Sequence, residues 1–384
     1  MRTYEAHLAA VEAAFPTPRV VTLPLTQAVG LAIADTLTAQ WDMPRFPNSQ
    51  MDGYALPHAQ GGTFTVGKTI AAGVDAPALT DNVAVPIMTG ARVPENTAAI
   101  VPVEHSQPEH FANEGEEVQV PACSKGQFIR KQGSDIKQGT VLIEKGARLN
   151  PAAIGTLAAQ GLKEVEIQAP ARILILTGGS EIGGDGPAQI PDSNGPLLAA
   201  LCKDYGIEVA GFLRTNDDPE VLRRDVEQAI AEHRPDAIVS SGGISHGKFE
   251  VVRQVFNEHG WFGHVAQQPG GPQGLSSYLG VPVIALPGNP VSTLVSFRLY
   301  VAPILGTVPK PYLSHVTAAV EGLEGKEQFR RAVLYHDSAG IPRAQLVGGA
   351  GSHLLAQAIE ANGLVRIPAD SRLNAGDDVE VHPF

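Results

Sequence analysis

The segment from Ala171 to Arg298 constrains the fold more than any other, because short apolar, β-branched runs alternate in it with helix-length segments. The runs are ARILILT (171–177), EVAGFLR (208–214), AIVSSGG (237–243) and VPVIALPG (281–288), and helices are predicted after Ser193, Pro219, Lys248 and Pro290. This alternation predicts βαβ units around a buried parallel sheet. We therefore expect an α/β chain with a central, doubly wound domain.

Polar and glycine-rich loops follow each of these predicted strands. They are TGGSEIGGDG (177–186), RTNDDP (214–219), SSGGISHGKFE (240–250) and LPGNPVS (286–292). Ligands of open parallel sheets bind outside the carboxyl ends of the strands, and consecutive backbone amides bind anions. The sequence thus predicts a ligand site at this edge, with a nucleotide or pterin phosphate near residues 240–250.

Helix capping is the alternative explanation for several of these loop residues. Ser193 or Asn194 could cap one helix, and Asn289 precedes a proline at a helix start. Capping also accounts for one aspartate of the pair 217–218. The other aspartate is a candidate ligand for Mg²⁺, which prefers oxygen ligands.

β-rich regions lie on both sides of the central segment. Short strands separated by Gly, Pro and Asn over 63–120 predict a small barrel or sandwich, and 312–384 predicts a second β domain with one short helix, SHLLAQAIEANG (352–363). Residues 41–56 are predicted to be an ordered loop. Its Asp52 is either a turn-forming aspartate or a functional one. Thr89, at a strand end, is likewise either a structural residue or a functional one.

Composition excludes several classes of protein. The net charge of −12 argues against non-specific nucleic-acid binding, which needs a basic surface. Two cysteines are too few for a disulfide framework. No run approaches the ~20 apolar residues of a membrane-spanning helix, so no membrane partner is expected. We expect a cytoplasmic protein.

Seven motifs in one order point to a known family. They are NSQMDGYA (48–55), MTGARVP (88–94), TGGSEI with GDGPAQIPDSN (177–194), NDDP (216–219), SSGGISHG (240–247), LPGNPVS (286–292) and GSHLL (351–355). In order and spacing the chain resembles MoeA proteins, the molybdopterin molybdenumtransferases, and is similar to the gephyrin E domain. The resemblance extends from about residue 4 to residue 384.

The resemblance implies a subunit of four parts. These are a segmented N-terminal domain (1–45 and 140–170), an inserted β-rich domain (46–139), a molybdopterin-binding α/β domain (171–308) and a C-terminal β-barrel (309–384). It also implies a homodimer whose active site receives residues from both subunits.

The implied reaction inserts molybdate into adenylylated molybdopterin, requires Mg²⁺ and releases AMP. Contacts with molybdopterin adenylyltransferase and with molybdoenzyme apoproteins are implied as well. Two alternatives stay open. One is a non-catalytic carrier or scaffold for the molybdenum cofactor. The other is a molybdopterin adenylyltransferase, which shares the central domain but normally lacks the flanking β domains.

The resemblance also implies site residues. The functional positions are Asp52, Thr89, Glu181, Asp217 and Glu250, with Asp217 and Glu250 as Mg²⁺ ligands. The implied substrate-binding residues are Gly178, Asp192, Ser193, Asn194, Ser241, Gly242, Gly243, Ser245, Gly247, Lys248, Pro287, Gly288, Asn289, Pro290, Ser292, Arg331 and Ser352. Arg331 and Ser352 match positions associated with molybdate, and Glu250 stands where relatives usually have Asp.

The chain departs from the family pattern in the segment QQPGGPQG (267–274). Gln268 and Gly271 occupy positions that are lysine in many members, and TGGSEI carries one extra small residue. Lysine is a compact charge suited to an oxyanion. Its absence indicates either that other cations such as Arg331 or Lys248 hold molybdate, or that the chain is a divergent branch. We expect a variant that retains activity.

Overall fold

The computed structural model describes residues 1–15, 18–75, 77–178, 189–215, 218–244 and 251–384. They form two compact units, one of residues 20–168 and one that joins residues 1–19 to 169–384. In the described ranges no helix is long and apolar enough to span a membrane.

A six-stranded sheet organises the larger unit. Its strands are, in spatial order, Glu208–Thr215, Arg172–Gly178, Ala237–Ser241, Val281–Leu286, Pro272–Tyr278 and Trp261–His264. The first four are parallel, which confirms the predicted βαβ pattern. The last two are antiparallel and extend the sheet beyond the part that the sequence pattern predicted.

Helices cover both faces of this sheet. They are Tyr4–Ala13, Asn194–Asp204, Pro219–His233, Val251–Phe256, Pro290–Ser296 and Ala302–Leu305, the last two joined by a π-helical segment, Phe297–Val301. Ile173 and Ile175 face one helical layer, and Leu174 and Leu176 face the other. Successive strand residues point to opposite faces, so a run that is apolar throughout is buried on both sides.

A closed β-barrel follows within the same unit. Its five strands are, around the barrel, Glu327–His336, Pro342–Leu346, Tyr312–Val316, Asp378–Pro383 and Gly363–Ile367, and the last pairs again with the first. A small ribbon, Val320–Glu321 with Arg372–Leu373, lies beside them, and Gln267–Gln268 pairs with the first strand. The α/β fold class with a C-terminal barrel is thereby confirmed.

The helix predicted over 352–363 is wrong. Only a 3-10 turn, Ala356–Ala358, forms there. The Leu354 carbonyl accepts from the Arg331 guanidinium, and the Ser352 carbonyl accepts from the Val291 amide. Because these two carbonyls accept hydrogen bonds from residues outside the segment, they do not accept the i→i−4 bonds of a helix.

The smaller unit contains a five-stranded sheet. Its strands are, in order, Ala99–Pro102, Gly53–Leu56, Val83–Ile87, Gly62–Val66 and Glu117–Val120. Three two-stranded ribbons (Val20–Pro24 with Glu164–Gln168, Leu37–Thr38 with Val141–Ile143, Asn48–Ser49 with Ile129–Arg130), the 3-10 turns Leu25–Gln27 and Val103–His105, and the helix Pro151–Ala159 complete it. The predicted loop 41–56 is therefore wrong in part, because Gly53–Leu56 is a buried strand between two partners.

Candidate functional site

A cleft of about 900 Å³ lies at the carboxyl ends of the parallel strands. The described residues that line it come from the strand ends (Thr177, Gly178, Ser241 to Ile244, Pro287 to Pro290, Ser292), the segment 190–194, the loop 264–272 and the barrel (Leu323, Lys326, Ala350 to His353). A parallel sheet brings these loops to one edge, as the sequence pattern predicted.

Thirteen of the implied substrate-binding residues line this cleft. They are Gly178, Asp192, Ser193, Asn194, Ser241, Gly242, Gly243, Pro287, Gly288, Asn289, Pro290, Ser292 and Ser352. Glu181, Asp217, Ser245, Gly247, Lys248 and Glu250 lie outside the described residues. Arg331 is described but is buried, at 3% exposure, away from the lining.

Glycines let the strand ends approach one another at the floor of the cleft. Gly178 has φ +130°, and a Cβ there would lie 2.9 Å from the Thr215 carbonyl oxygen. A Cβ on Gly288 would lie 3.2 Å from the Gly242 Cα. Side chains at either position would push the backbones apart, so glycine keeps main-chain groups accessible at the floor.

Asp192 caps the helix that borders the cleft. Its Oδ1 accepts from the amides of Asn194 (3.0 Å) and Gly195 (2.9 Å), and its Oδ2 accepts from Thr177 Oγ1 (2.9 Å). The predicted cap by Ser193 or Asn194 is wrong, since Ser193 sits at the cap position without a side-chain cap bond. A carboxylate accepts two helix amides and the threonine hydroxyl at once, which a single hydroxyl oxygen does less well.

The Asn194 side chain is consequently available for another purpose. Its Nδ2 donates to the Gly288 carbonyl (2.7 Å), and its buried Oδ1 has no hydrogen-bond partner among the described residues. A buried acceptor without a partner is costly. Asn194 therefore offers the cleft an acceptor for a ligand N–H or O–H group.

Thr293 was not predicted from the sequence, yet it supports the floor. Its Oγ1 lies 2.8 Å from Ser241 Oγ and donates to the Pro287 carbonyl over 2.8 Å. All three groups are buried. The contact joins the ends of two neighbouring strands through side chains, which no local sequence signal indicates.

A barrel loop closes one side of the cleft. Asn289 Nδ2 donates to Ser352 Oγ over 2.9 Å, and the Val291 amide donates to the Ser352 carbonyl over 3.2 Å. Arg331 donates to the carbonyls of Leu354 (2.6 Å) and Gly349 and so holds both ends of this loop. Asn289 was predicted as a helix cap, but it makes no cap bond and faces the loop.

The pair Asp52 and Thr89 lies in the smaller unit. Asp52 Oδ1 accepts from the Thr89 amide (2.6 Å) and from Thr89 Oγ1 (2.7 Å). These bonds, the backbone one first, lower the pKa of Asp52 below its ordinary value. Both residues are exposed, so the structure brings together two residues that the resemblance placed side by side and leaves them accessible.

Metal coordination is not evident in the described part of the chain. No group of three or more His, Cys, Asp or Glu residues is arranged there to hold an ion. The predicted Mg²⁺ ligands Asp217 and Glu250 fall outside these ranges. Asp192, the carboxylate that lines the cleft, is already occupied by its three donors.

The comparisons with known proteins agree with this architecture. Residues 2–161 match the model of the MoeA N-terminal region (domain I and II), 174–307 that of the probable molybdopterin binding domain, and 316–384 that of the MoeA C-terminal region (domain IV). The chain is 36% identical over 413 residues to molybdopterin molybdenumtransferase 2 of Mycobacterium tuberculosis, with 99% of each chain covered.

A second relative and a solved structure give the same result. The molybdopterin molybdenumtransferase of Haemophilus influenzae is 30% identical over 394 residues, covering 96% of this chain and 95% of its own. A molybdopterin biosynthesis MoeA protein from Pyrococcus horikoshii superposes with a TM-score of 0.81 at 28% identity, covering 99% of this chain and 98% of its own. The chain belongs to the MoeA family of molybdopterin molybdenumtransferases.

Proposed function

We propose that the protein inserts molybdate into adenylylated molybdopterin with Mg²⁺-dependent release of AMP, and that the cleft is its substrate site. The observation that carries this proposal is the convergence of thirteen family-matched residues on one cleft. Family membership supplies the reaction, because the similar relatives are named molybdopterin molybdenumtransferases.

The chain's own groups suit a substrate that carries phosphates and a pterin. Main-chain amides at the glycine-rich strand ends, such as those of Gly242 and Gly243, are candidates for phosphate contacts. The side-chain oxygen of Asn194, Oδ1, is a candidate acceptor for a pterin N–H. Ser352 Oγ accepts from Asn289, so its own O–H stays available to donate to molybdate.

Asp217 and Glu250, with Glu181, are proposed as the Mg²⁺ ligands. When bound, the ion would neutralise charge on the phosphates and on the leaving AMP. Substitution of Asp217 by Ala is expected to abolish AMP release without unfolding the protein. Asp225→Asn is the matched control, because Asp225 is a surface aspartate on the helix that follows and pairs with Arg224.

We further propose a cytoplasmic homodimer with the four-part division 1–45 with 140–170, 46–139, 171–308 and 309–384. The Asp52–Thr89 pair is the candidate contribution of the partner subunit to the site. Molybdopterin adenylyltransferase and molybdoenzyme apoproteins are the proposed protein partners. Sedimentation equilibrium tests the dimer, and restored AMP release in mixtures of Asp52→Ala and Asp217→Ala proteins tests sharing of the site between subunits.

AMP release from adenylylated molybdopterin, measured with and without molybdate in the presence of Mg²⁺, tests the proposed reaction. Molybdate-stimulated release is the expected result. Tight binding of the substrate without AMP release would overturn the enzymatic proposal and identify a carrier of the molybdenum cofactor instead.

A further inference from the structure

Three basic side chains are among the described residues that line the cleft, and none was predicted from the sequence. Among the described lining residues these are His264, Lys326 and His353, and Asp192 is the single carboxylate. The arginine that was expected to supply charge, Arg331, donates instead to loop carbonyls. Among the described residues, the basic groups of the cleft therefore come from other positions than those the family pattern indicates.

His264 lies beside the position where the lysine is missing. It is the last residue of the strand Trp261–His264 and pairs with Pro272, so it closes the hairpin that carries Gly271. A Cβ added to Gly271 would lie 3.7 Å from His264 Cδ2, which is ordinary van der Waals contact. Gly271 has no positive φ and no backbone clash at that point, so a side chain placed there would share the space next to the imidazole.

Lys326 reaches the cleft from the barrel. Gln267 pairs in parallel with Glu327, and the Glu327 amide donates to the Ala266 carbonyl over 2.9 Å. Lys326 therefore precedes a residue that is fixed to the 264–272 loop by the backbone, and its exposed side chain lines the cleft. The register between barrel and loop thus brings a lysine and a histidine to one cleft.

Hydrogen bonds to the 264–272 loop reduce the repulsion between its carbonyl oxygens and a neighbouring anion. Two of its carbonyl oxygens are occupied by buried side-chain amides: Gln267 Nε2 donates to Pro269 (3.0 Å) and Gln273 Nε2 donates to Gly270 (2.7 Å). Tyr300 donates in turn to Gln267 Oε1. Carbonyl oxygens that already accept a bond oppose a neighbouring oxyanion less than bare ones, and the buried network keeps the loop in one conformation.

We infer that His264 and Lys326 form an oxyanion-binding site in the cleft, in place of the lysines that stand at the positions of Gln268 and Gly271 in other members. The ligand is a tetrahedral dianion of the molybdate type, and His264 and Lys326 are the residues that determine its acceptance. This inference rests on the proposed function, because it assigns the residues that hold the second substrate.

Direct binding of molybdate to the full-length protein, measured by equilibrium dialysis with metal analysis, tests the inference without requiring turnover. His264→Gln and Lys326→Gln are each expected to weaken molybdate binding about tenfold, the effect of one lost charge-assisted hydrogen bond. Gly271→Lys in the His264→Gln background is expected to restore most of that loss. His336→Gln and Lys310→Gln, exposed positions away from the cleft lining, are the matched controls and are expected to bind as the unsubstituted protein does.

Unchanged affinity in both His264→Gln and Lys326→Gln, or no molybdate binding by the unsubstituted protein, would overturn the inference. AMP release measured on the same proteins separates this outcome from failure of the proposed function. Molybdate-stimulated AMP release with normal KM for molybdate in both variants would leave the function standing and remove the oxyanion site. Weakened molybdate binding in the variants, with no AMP release by the unsubstituted protein, would support the oxyanion site and overturn the proposed function.

Discussion

Asn289 donates its side-chain amide to Ser352 Oγ over 2.9 Å, across 63 residues of sequence. Asn289 precedes the helix Pro290–Ser296 at the sheet edge, and Ser352 lies in the barrel loop that closes the cleft. One hydrogen bond between side chains thus joins the two walls that would hold the substrate.

Breaking this link is expected to weaken substrate binding more than folding. Asn289→Ala and Ser352→Ala should each raise the Kd for adenylylated molybdopterin several-fold, because a net hydrogen bond is worth about 0.5–1.5 kcal/mol. A double-mutant cycle on binding should show coupling of the same order. Ser371→Ala, which removes an exposed hydroxyl bonded to its own loop, is the control. Strictly additive effects of the two substitutions would contradict the link.

Arg331 is expected to act mainly on stability. Arg331→Gln removes the guanidinium donors to the carbonyls of Gly349 and Leu354, and hydrogen bonds to a charged group contribute about 1.5–3 kcal/mol each. Urea denaturation should show an unfolding free energy lower by roughly 2–4 kcal/mol. Arg372→Gln serves as the control, because its ion pair with Glu321 is exposed on both sides and should change stability little. Equal stability of the two variants would refute this assignment.

Thr89 is expected to control the ionisation of Asp52. The Thr89 amide and hydroxyl both donate to the carboxylate and lower the pKa of Asp52. Thr89→Val removes only the hydroxyl, so the pKa should rise part of the way towards the ordinary value, which carbon-detected NMR titration can measure. Because the folded pKa lies below the unfolded one, the pair stabilises the fold above the ordinary Asp value. That stabilisation is lost as pH falls through the folded pKa. An unshifted titration in the variant would exclude the hydroxyl contribution.

His7 is expected to make the fold sensitive to mild acid. It is fully buried against Trp261 and Tyr300, and burial, followed by the charge of Arg2, lowers the pKa of His7 to about 3. Below pH 6.5 the unfolded chain takes up this proton and the folded chain does not, so stability falls with decreasing pH until about pH 3. Between pH 7 and pH 5 this amounts to about 2 kcal/mol.

The matching test compares His7→Phe with the unsubstituted protein by urea denaturation at both pH values. The variant should lose about half of the pH dependence, because it has no proton to bind at this position, whereas His382, whose pKa is lowered by burial to about 4, still contributes. His336→Gln, an exposed histidine on the barrel, should leave the dependence unchanged. An identical pH dependence in His7→Phe and the unsubstituted protein would show that His7 is not the responsible group.

Local sequence signals predicted the elements whose formation depends on a few residues adjacent in sequence. The four parallel strands and the helix starts at Pro219 and Pro290 follow from apolar runs and from proline at the first helical turn. The first helix, Tyr4–Ala13, buries Tyr4, His7 and Val11. The aromatic and histidine side chains pack against Phe329, Trp261 and Tyr300, which are distant in sequence.

The sequence by itself determined the alternation of strands and helices, the sheet edge at which the cleft lies, and the family. Hydrophobic periodicity and turn residues act over a few positions and can be seen in one stretch of chain. The tertiary structure decided which side chains cap helices, hold loops or line the cleft. Asp192 rather than Ser193 caps its helix, Arg331 holds a loop, and His264 and Lys326 enter the cleft. Each of these depends on backbone register and on hydrogen bonds between distant segments, so the fold is required to assign them.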